Sequence, residues 1–160
     1  MAQADYFLKI DGVDGESSDD KHKGEIEIDS WSMGAQQASA SGAGGGGGVG
    51  KVHFHDFHIT KSVDKSSAKL FLACATGEHF KTAELTCRKA GKDQQEYLKL
   101  KFTEVIVTSI QQSGKGNGEV GEMVTLGFAK FEKEYKEQKP DGTLGGAVKA
   151  GWDLKVHKKV

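Results

Sequence analysis

Two neighbouring stretches in the first half of the chain have residue types and spacing that could do chemistry. From Ser41 to Lys51 the sequence reads SGAGGGGGVGK, in which Gly45, Gly50 and Lys51 stand at the spacing of a Walker A phosphate loop. Val52 occupies the position where that motif places a magnesium-binding hydroxyl. A phosphate loop also runs into a helix whose N-terminus faces the anion, whereas VHFHDFHIT after Lys51 alternates as a strand does. Nucleotide binding is therefore not expected. The glycine run is read as a flexible segment whose ordering is costly unless something docks on it. The second stretch is His53, His55 and His58 with Asp56. His53 and His55 project to one side of a regular strand, and a bend at His55 and Asp56 would bring Asp56 or His58 round to them, as zinc or nickel would require. No further ligand is evident, and imidazoles alternating on a strand's outer face are common without metal.

Other candidates are weaker. The acidic segment DGVDGESSDD, Asp11 to Asp20, has a calcium loop's composition, but Gly12 and Val13 break the alternate spacing of an EF-hand. A solvated loop is the simpler reading. There is no G-x-S-x-G elbow, and the carboxylates alternate with apolar residues as on the outer face of a strand. Cys74 and Cys87 form no Cys-x-x-Cys motif and read as two reduced, buried thiols. No catalytic, cofactor-binding or metal-binding residue is assigned, and the chain is not expected to be an enzyme.

The elements that would carry these residues are mostly strands. Period-two alternation marks Tyr6, Leu8 and Ile10; Ile26 and Ile28; Ala83, Leu85 and Cys87; Val124, Leu126 and Phe128; and Trp152, Leu154 and Val156. Parity changes between Phe54 and Phe57, and again between Phe102 and Val105, so bulges or sharp bends are expected near His55 and Asp56 and in the long strand. One segment breaks the pattern: DKSSAKLFLACATG predicts a helix over 64–76, begun by Asp64 or Ser66 and stopped by Gly77. Seven or eight long, bending strands with one helix at their side predict a mostly β fold, a β-barrel of two packed, largely antiparallel sheets. The glycine-rich loop is placed at 34–50.

Length and charge fit this picture. A chain of 160 residues makes one domain, 1–160, large enough to bury roughly 68–70% of its unfolded surface. Basic and acidic residues number 22 and 23 and are interspersed, giving a net charge of −1. Without a basic stripe, nucleic acid is not an expected partner. No apolar run reaches the roughly 20 residues of a membrane span. The opening MAQADYFLKIDG has neither a basic leader nor an apolar core, so Sec-type export is not expected.

Several blocks in order give the whole chain a resemblance to the haemolysin-coregulated protein family, the tube subunit of the bacterial type VI secretion system. They are DYFLKIDGVDGES at Asp5 to Ser17, the pair Trp31 and Ser32, and GKV at Gly50 to Val52. They continue with TKSVDKSS at Thr60 to Ser67, CATGEHF at Cys74 to Phe80, RKAG at Arg88 to Gly91, EYLKLKFTEV at Glu96 to Val105, and Gly151 with Trp152. The resemblance implies a non-enzymatic structural protein that forms homo-hexameric rings stacking into a hollow tube. A contractile sheath drives that tube outward, with effectors in its lumen or on its spike. It also implies assembly in the cytoplasm and then secretion without a Sec signal, and no cofactor. By the same resemblance Gly42, Gly44, Gly45, Gly46, Gly47, Gly48, Gly50 and Lys51 belong to a loop that contacts neighbouring subunits or the next ring. Ser30 and Ser32, small and polar beside Trp31, are expected to face the lumen. His53, His55 and His58 inherit no role, and Met33 stands where the family pattern has an aromatic residue. The reading from a different class is a monomeric β-barrel module that binds a ligand or effector; a third, resting on the glycine run and the histidines, is a nucleotide or metal enzyme.

Overall fold

A computed structural model describes residues 4–37, 51–89 and 93–160. The strands are β1 (Ala4–Ile10), β2 (Ile26–Ile28), β3 (Ser30–Ser32), β4 (Ala35–Gln37), β5 (Val52–Phe54), β6 (Phe57–Ser62), β7 (His79–Lys89), β8 (Glu96–Gly114), β9 (Val120–Gly127), β10 (Lys130–Gln138), β11 (Leu144–Asp153) and β12 (Lys158–Lys159). A single helix, α1 (Ser67–Thr76), lies between β6 and β7. The chain is thus mostly β with one helix, and no described helix is long and apolar enough to cross a membrane.

β1, β7 and β8 form the floor of the core, because their alternating apolar residues fall in register. Leu8, Leu85 and Leu100 make one cross-strand row and Ile10, Ala83 and Phe102 the next, all essentially buried. The 19-residue β8 cannot stay flat. Its buried positions switch from Leu100 and Phe102 to Val105 and Val107, and Glu104 between them takes φ 53°. The first half of β8 pairs with β7 and β10 and the second half with β9. The sheet therefore folds over on itself, and Phe57 from β6 stacks on Phe102 with ring centroids 4.6 Å apart.

The expected barrel of two packed sheets takes a different form. Ten strands belong to one antiparallel sheet, and β4 with β5 makes a separate two-stranded ribbon. From β8 the pairing runs through β9 and β6 to β3, and β3 continues into β2 through Asp29. β2 has no ladder with β6; the Asp29 N–H donates to the Thr60 carbonyl at 2.8 Å. β2 in turn pairs with β1, Tyr6 opposite Ile28 and Leu8 opposite Ile26, so among the described strands the wall lacks a ladder only at the step from β3 and β6 to β2, and the sheet curls without closing as a barrel. The expected bend at His55 and Asp56 is the break between β5 and β6. The loop placed at 34–50 gives way to a strand over Ala35–Gln37, which is opposed by Val52–Phe54.

Helix α1 plugs one side of the curl with Leu70 and Ala73. Its start is fixed by the Asp64 carboxylate, which accepts the Ser66 N–H at 2.9 Å. It stops at Gly77, whose φ of 74° suits a residue without Cβ.

Candidate assembly surface

Alternation on β3, β6 and β9 sends one set of side chains into the core and the other outward. Inward go Trp31, Phe57, Ile59, Val124 and Leu126. The Trp31 ring meets Tyr6 edge-on at 6.4 Å and Phe57 at 6.2 Å. Outward, register aligns Ser30, Thr60 and Met123 in one row and Ser32, His58 and Thr125 in the next. The Ser30 and Thr60 hydroxyls are hydrogen-bonded at 2.5 Å, and Thr125 Oγ1 lies 3.0 Å from His58 Nδ1. Thr108 extends the polar surface by donating to the Asp56 carboxylate at 2.8 Å. The result is a face of short hydroxyls, with one imidazole, one thioether and the Asp56 carboxylate at its margin, lacking the convergent charges that acid–base chemistry needs. Met33, the residue after Ser32, packs against the core in place of the expected aromatic.

The histidine cluster does not come together. His53 and His55 meet edge to face at 5.5 Å, while His58 faces Thr125 on the sheet and Asp56 is engaged by Thr108. Among the described residues no group of three or more His, Cys, Asp or Glu is placed to hold a metal. Val52 opens β5 opposite Gln37, so a strand, not a helix, follows the glycine run. Lys51 is exposed at its end. Gly42, Gly44, Gly45, Gly46, Gly47, Gly48 and Gly50 lie outside the described residues. Both thiols are free, and burial pushes the Cys87 thiol up to about 12, opposed by its contact with Trp31, so it stays protonated.

Two charged networks escaped the sequence reading. In the acidic segment, Gly15 approaches β2 so closely that a Cβ would collide with the Glu25 carbonyl. The segment then folds back over the outer side of β1 and β7, where buried Arg88 donates to both Asp19 oxygens at 2.9 and 2.8 Å and to Asp5 at 3.1 Å. Hydrogen bonds from Arg88 outweigh the opposing effect of burial and hold Asp19 down at about 2. His22 stacks on Phe7 at 4.5 Å and bridges Glu25 and Glu96 at 2.5 and 2.6 Å. Burial pushes Glu96 up, but the His22 contact and the Lys99 charge together leave it lowered. The second network lies beneath the helix start, where Lys61 and Glu122, both without exposed side-chain surface, pair at 2.7 Å. Asp64 and Ser67 supply further partners. Parity held a clue for Lys61, which shares the inward parity of Phe57 and Ile59, whereas Arg88, beside Lys89 and on the parity of Glu84 and Thr86, gave none.

A surface face without reactive groups and charge networks that brace loops are features of a structural subunit, and the comparisons agree. A family model described as "Type VI secretion system effector, Hcp" matches residues 7–135. Protein hcp1 of Pseudomonas aeruginosa is 46% identical over 154 residues, spanning 94% of this chain and 95% of that protein. A solved type six secretion system protein superposes with a TM-score of 0.93 at 34% identity, covering 99% of this chain and all of the other. Hcp1 from Salmonella typhimurium superposes with a TM-score of 0.84 at 42% identity over the full length of both. The chain belongs to the haemolysin-coregulated protein family, the secreted, non-enzymatic tube proteins of the type VI secretion system, which form hexameric tubes.

Proposed function

We propose that six copies of this chain close into a ring, that rings stack into a hollow tube, and that the glycine-rich segment is the arm carrying contacts between subunits or rings. The observation that carries this reading is the β4–β5 ribbon. Its strands, Ala35–Gln37 and Val52–Phe54, flank in sequence the stretch that holds Gly42 to Gly50, and they share no ladder with the main sheet. The strands of this ribbon place no buried side chain in the core of their own subunit, and an arm reaching toward a neighbour has that design. Lys51, exposed at the ribbon's end, provides a charge for the same contact.

The rows through Ser30 and Ser32 suit the lumen. A wall past which effectors travel needs short, uncharged polar side chains that neither trap an apolar passenger nor repel a charged one, and hydroxyls paired with each other meet that need. In this scheme the sheath and spike drive and tip the tube, effectors ride inside it, and the subunit moves from the cytoplasm to the exterior with the tube. Negative-stain microscopy with light scattering on the purified chain tests the reading. Hollow six-fold rings are expected, and a strict monomer at high concentration would overturn it.

A further inference from the structure

Two hairpin tips are built alike and differ in the group that caps the turn. Between β8 and β9 the Lys115 N–H donates to the Glu119 carbonyl at 2.8 Å, and the Gly118 N–H donates back to the Lys115 carbonyl at 3.1 Å. Between β10 and β11 the Lys139 N–H repeats the first bond to Thr143 and the Gly142 N–H the second to Lys139, both at 2.8 Å. Gly118 and Gly142 take matching φ values of 91° and 88°. In each tip the residue before the glycine closes an Asx turn: Asn117 Oδ1 accepts the Glu119 N–H at 3.1 Å, and Asp141 Oδ1 accepts the Thr143 N–H at 2.9 Å. One tip thus carries an amide where the other carries a carboxylate, and Asn117 is the only asparagine in the chain.

An amide carbon next to a glycine nitrogen is an electrophile beside a nucleophile. The bond from Glu119 to Asn117 Oδ1 spans Gly118, so it holds the side-chain carbonyl folded back alongside the Gly118 peptide. The same N–H polarises that carbonyl and faces the oxygen on which charge collects when Cγ is attacked, which is the part a donor plays in an oxyanion hole. Gly118 has no Cβ beside its nitrogen, and apart from its chain neighbours no described atom lies within 4 Å of the place a Cβ would take. Residues 115–119 are all exposed, so water reaches the turn.

We propose that Asn117 is a self-modification site, which in the folded chain loses its amide through a cyclic imide with Gly118 and becomes aspartate or isoaspartate. Water or hydroxide takes the proton from the Gly118 nitrogen, that nitrogen bonds to Asn117 Cγ, and Nδ2 takes up a proton and leaves as ammonia. A second water opens the ring. Cleavage of the new N–Cγ bond leaves aspartate; cleavage of the original bond from the Asn117 carbonyl carbon to the Gly118 nitrogen leaves isoaspartate, with the main chain routed through Cγ. The balance is one water consumed and one ammonia released. The Gly118 bond to Lys115 is given up in the first step, and this sets the pace.

Asp141 is the internal control. Bonds from the Thr143 hydroxyl and N–H lower its carboxyl below the ordinary carboxylate range, so at neutral pH it is ionised and offers Gly142 only a poor electrophile. Its tip also shows that an aspartate fits this turn. Aspartate at 117 keeps every bond of the hairpin, whereas isoaspartate adds a main-chain carbon between Lys115 and Glu119 and does not.

The test ages the purified full chain in heavy-oxygen water and reads it by peptide mapping and isoaspartyl methyltransferase labelling. Position 117 should lose its amide and gain heavy oxygen as a mixture of aspartate and isoaspartate, several-fold faster at about pH 9 than at about pH 7. No isoaspartate should form at 141. Gly118→Ala should slow the loss at least about tenfold by crowding the nitrogen. Glu119→Pro, which removes the polarising N–H, should slow it several-fold, while Glu119→Ala, which keeps that N–H, should leave the rate unchanged. An Asn117 that stays intact in the folded chain while the urea-unfolded chain loses its amide would overturn the proposal, because the turn would then protect the site. Isoaspartate forming as fast at 141 as at 117 would overturn it as well. Should Gly118→Ala or Glu119→Pro fail to fold, the labelling of the parent chain at 117 decides.

Discussion

Arg88 and Asp19 show how one ion pair can hold a loop. The guanidinium is buried on the outer side of β7 and grips Asp19 through two bonds, tying the middle of the acidic segment to the sheet. Because Asp19 is held at about 2 in the fold and returns to about 3.9 in an unfolded chain, its ionised form favours folding. The sign follows. That contribution is complete above about pH 4 and is lost as pH falls toward 2. Asp19→Asn should lower stability by about 2 kcal/mol at neutral pH, the scale of a charge-assisted bond lost from a buried cation. It should also flatten the fall in melting temperature between pH 4 and pH 2. Thermal melts of parent and variant across that range check it; curves that remain parallel would show that Asp19 does not carry the acid sensitivity. Lys61 and Glu122 are a contrasting case. Both side chains are fully buried, so the pair costs desolvation that its attraction offsets only with the help of Asp64, Ser67 and Gln112. It fixes where the helix starts more than it stabilises the fold.

At the scale of elements, α1 depends on its last residue. Gly77 ends the helix with φ 74° and donates its N–H to the Ala73 carbonyl at 2.9 Å. Gly77→Ala forces a Cβ into the left-handed region and should cost about 1 kcal/mol, measurable by denaturant titration with an unchanged slope. That stop was readable from the sequence, as were the alternation of β1, β7 and β9 and the two places where parity breaks, because local sterics and period-two burial decide them. The helix start was less sharp. Asp64 and Ser66 both looked like caps, and the carboxylate of Asp64 in fact organises the turn before Ser67. The curl of one sheet, in place of two packed sheets, was not legible, since it depends on β8 serving different partners along its two halves. The same holds for the site. Ser30 and Ser32 could be placed on an outward face by alternation, but the aligned hydroxyls of Thr60 and Thr125 come from strands distant in sequence. The charge partners of the acidic segment were invisible for the same reason: Arg88 and Asp19 lie 69 positions apart.

For the whole molecule, the proposed arm separates the residues that would assemble the tube from those that fold the subunit. The core is built from β1, β2, β6, β7, β8, β9 and α1, and none of its buried side chains comes from β4 or β5. Phe54 ties the ribbon to the body, through its ring 5.1 Å from Phe131. Changes in the segment that the ribbon carries should therefore leave the monomer's stability within about 0.5 kcal/mol, as surface substitutions usually do. Replacing Gly44 through Gly48 with alanine removes backbone freedom at five successive positions. If the segment must fit its backbone closely against a neighbour, that change acts on assembly. The expected outcome is a melting temperature close to that of the parent together with fewer or shorter stacks in negative stain, and Lys51→Met should keep rings while weakening stacking. Equal damage to folding and assembly would mean that the segment belongs to its own subunit's core after all, and undiminished stacks would mean that the tube is joined elsewhere.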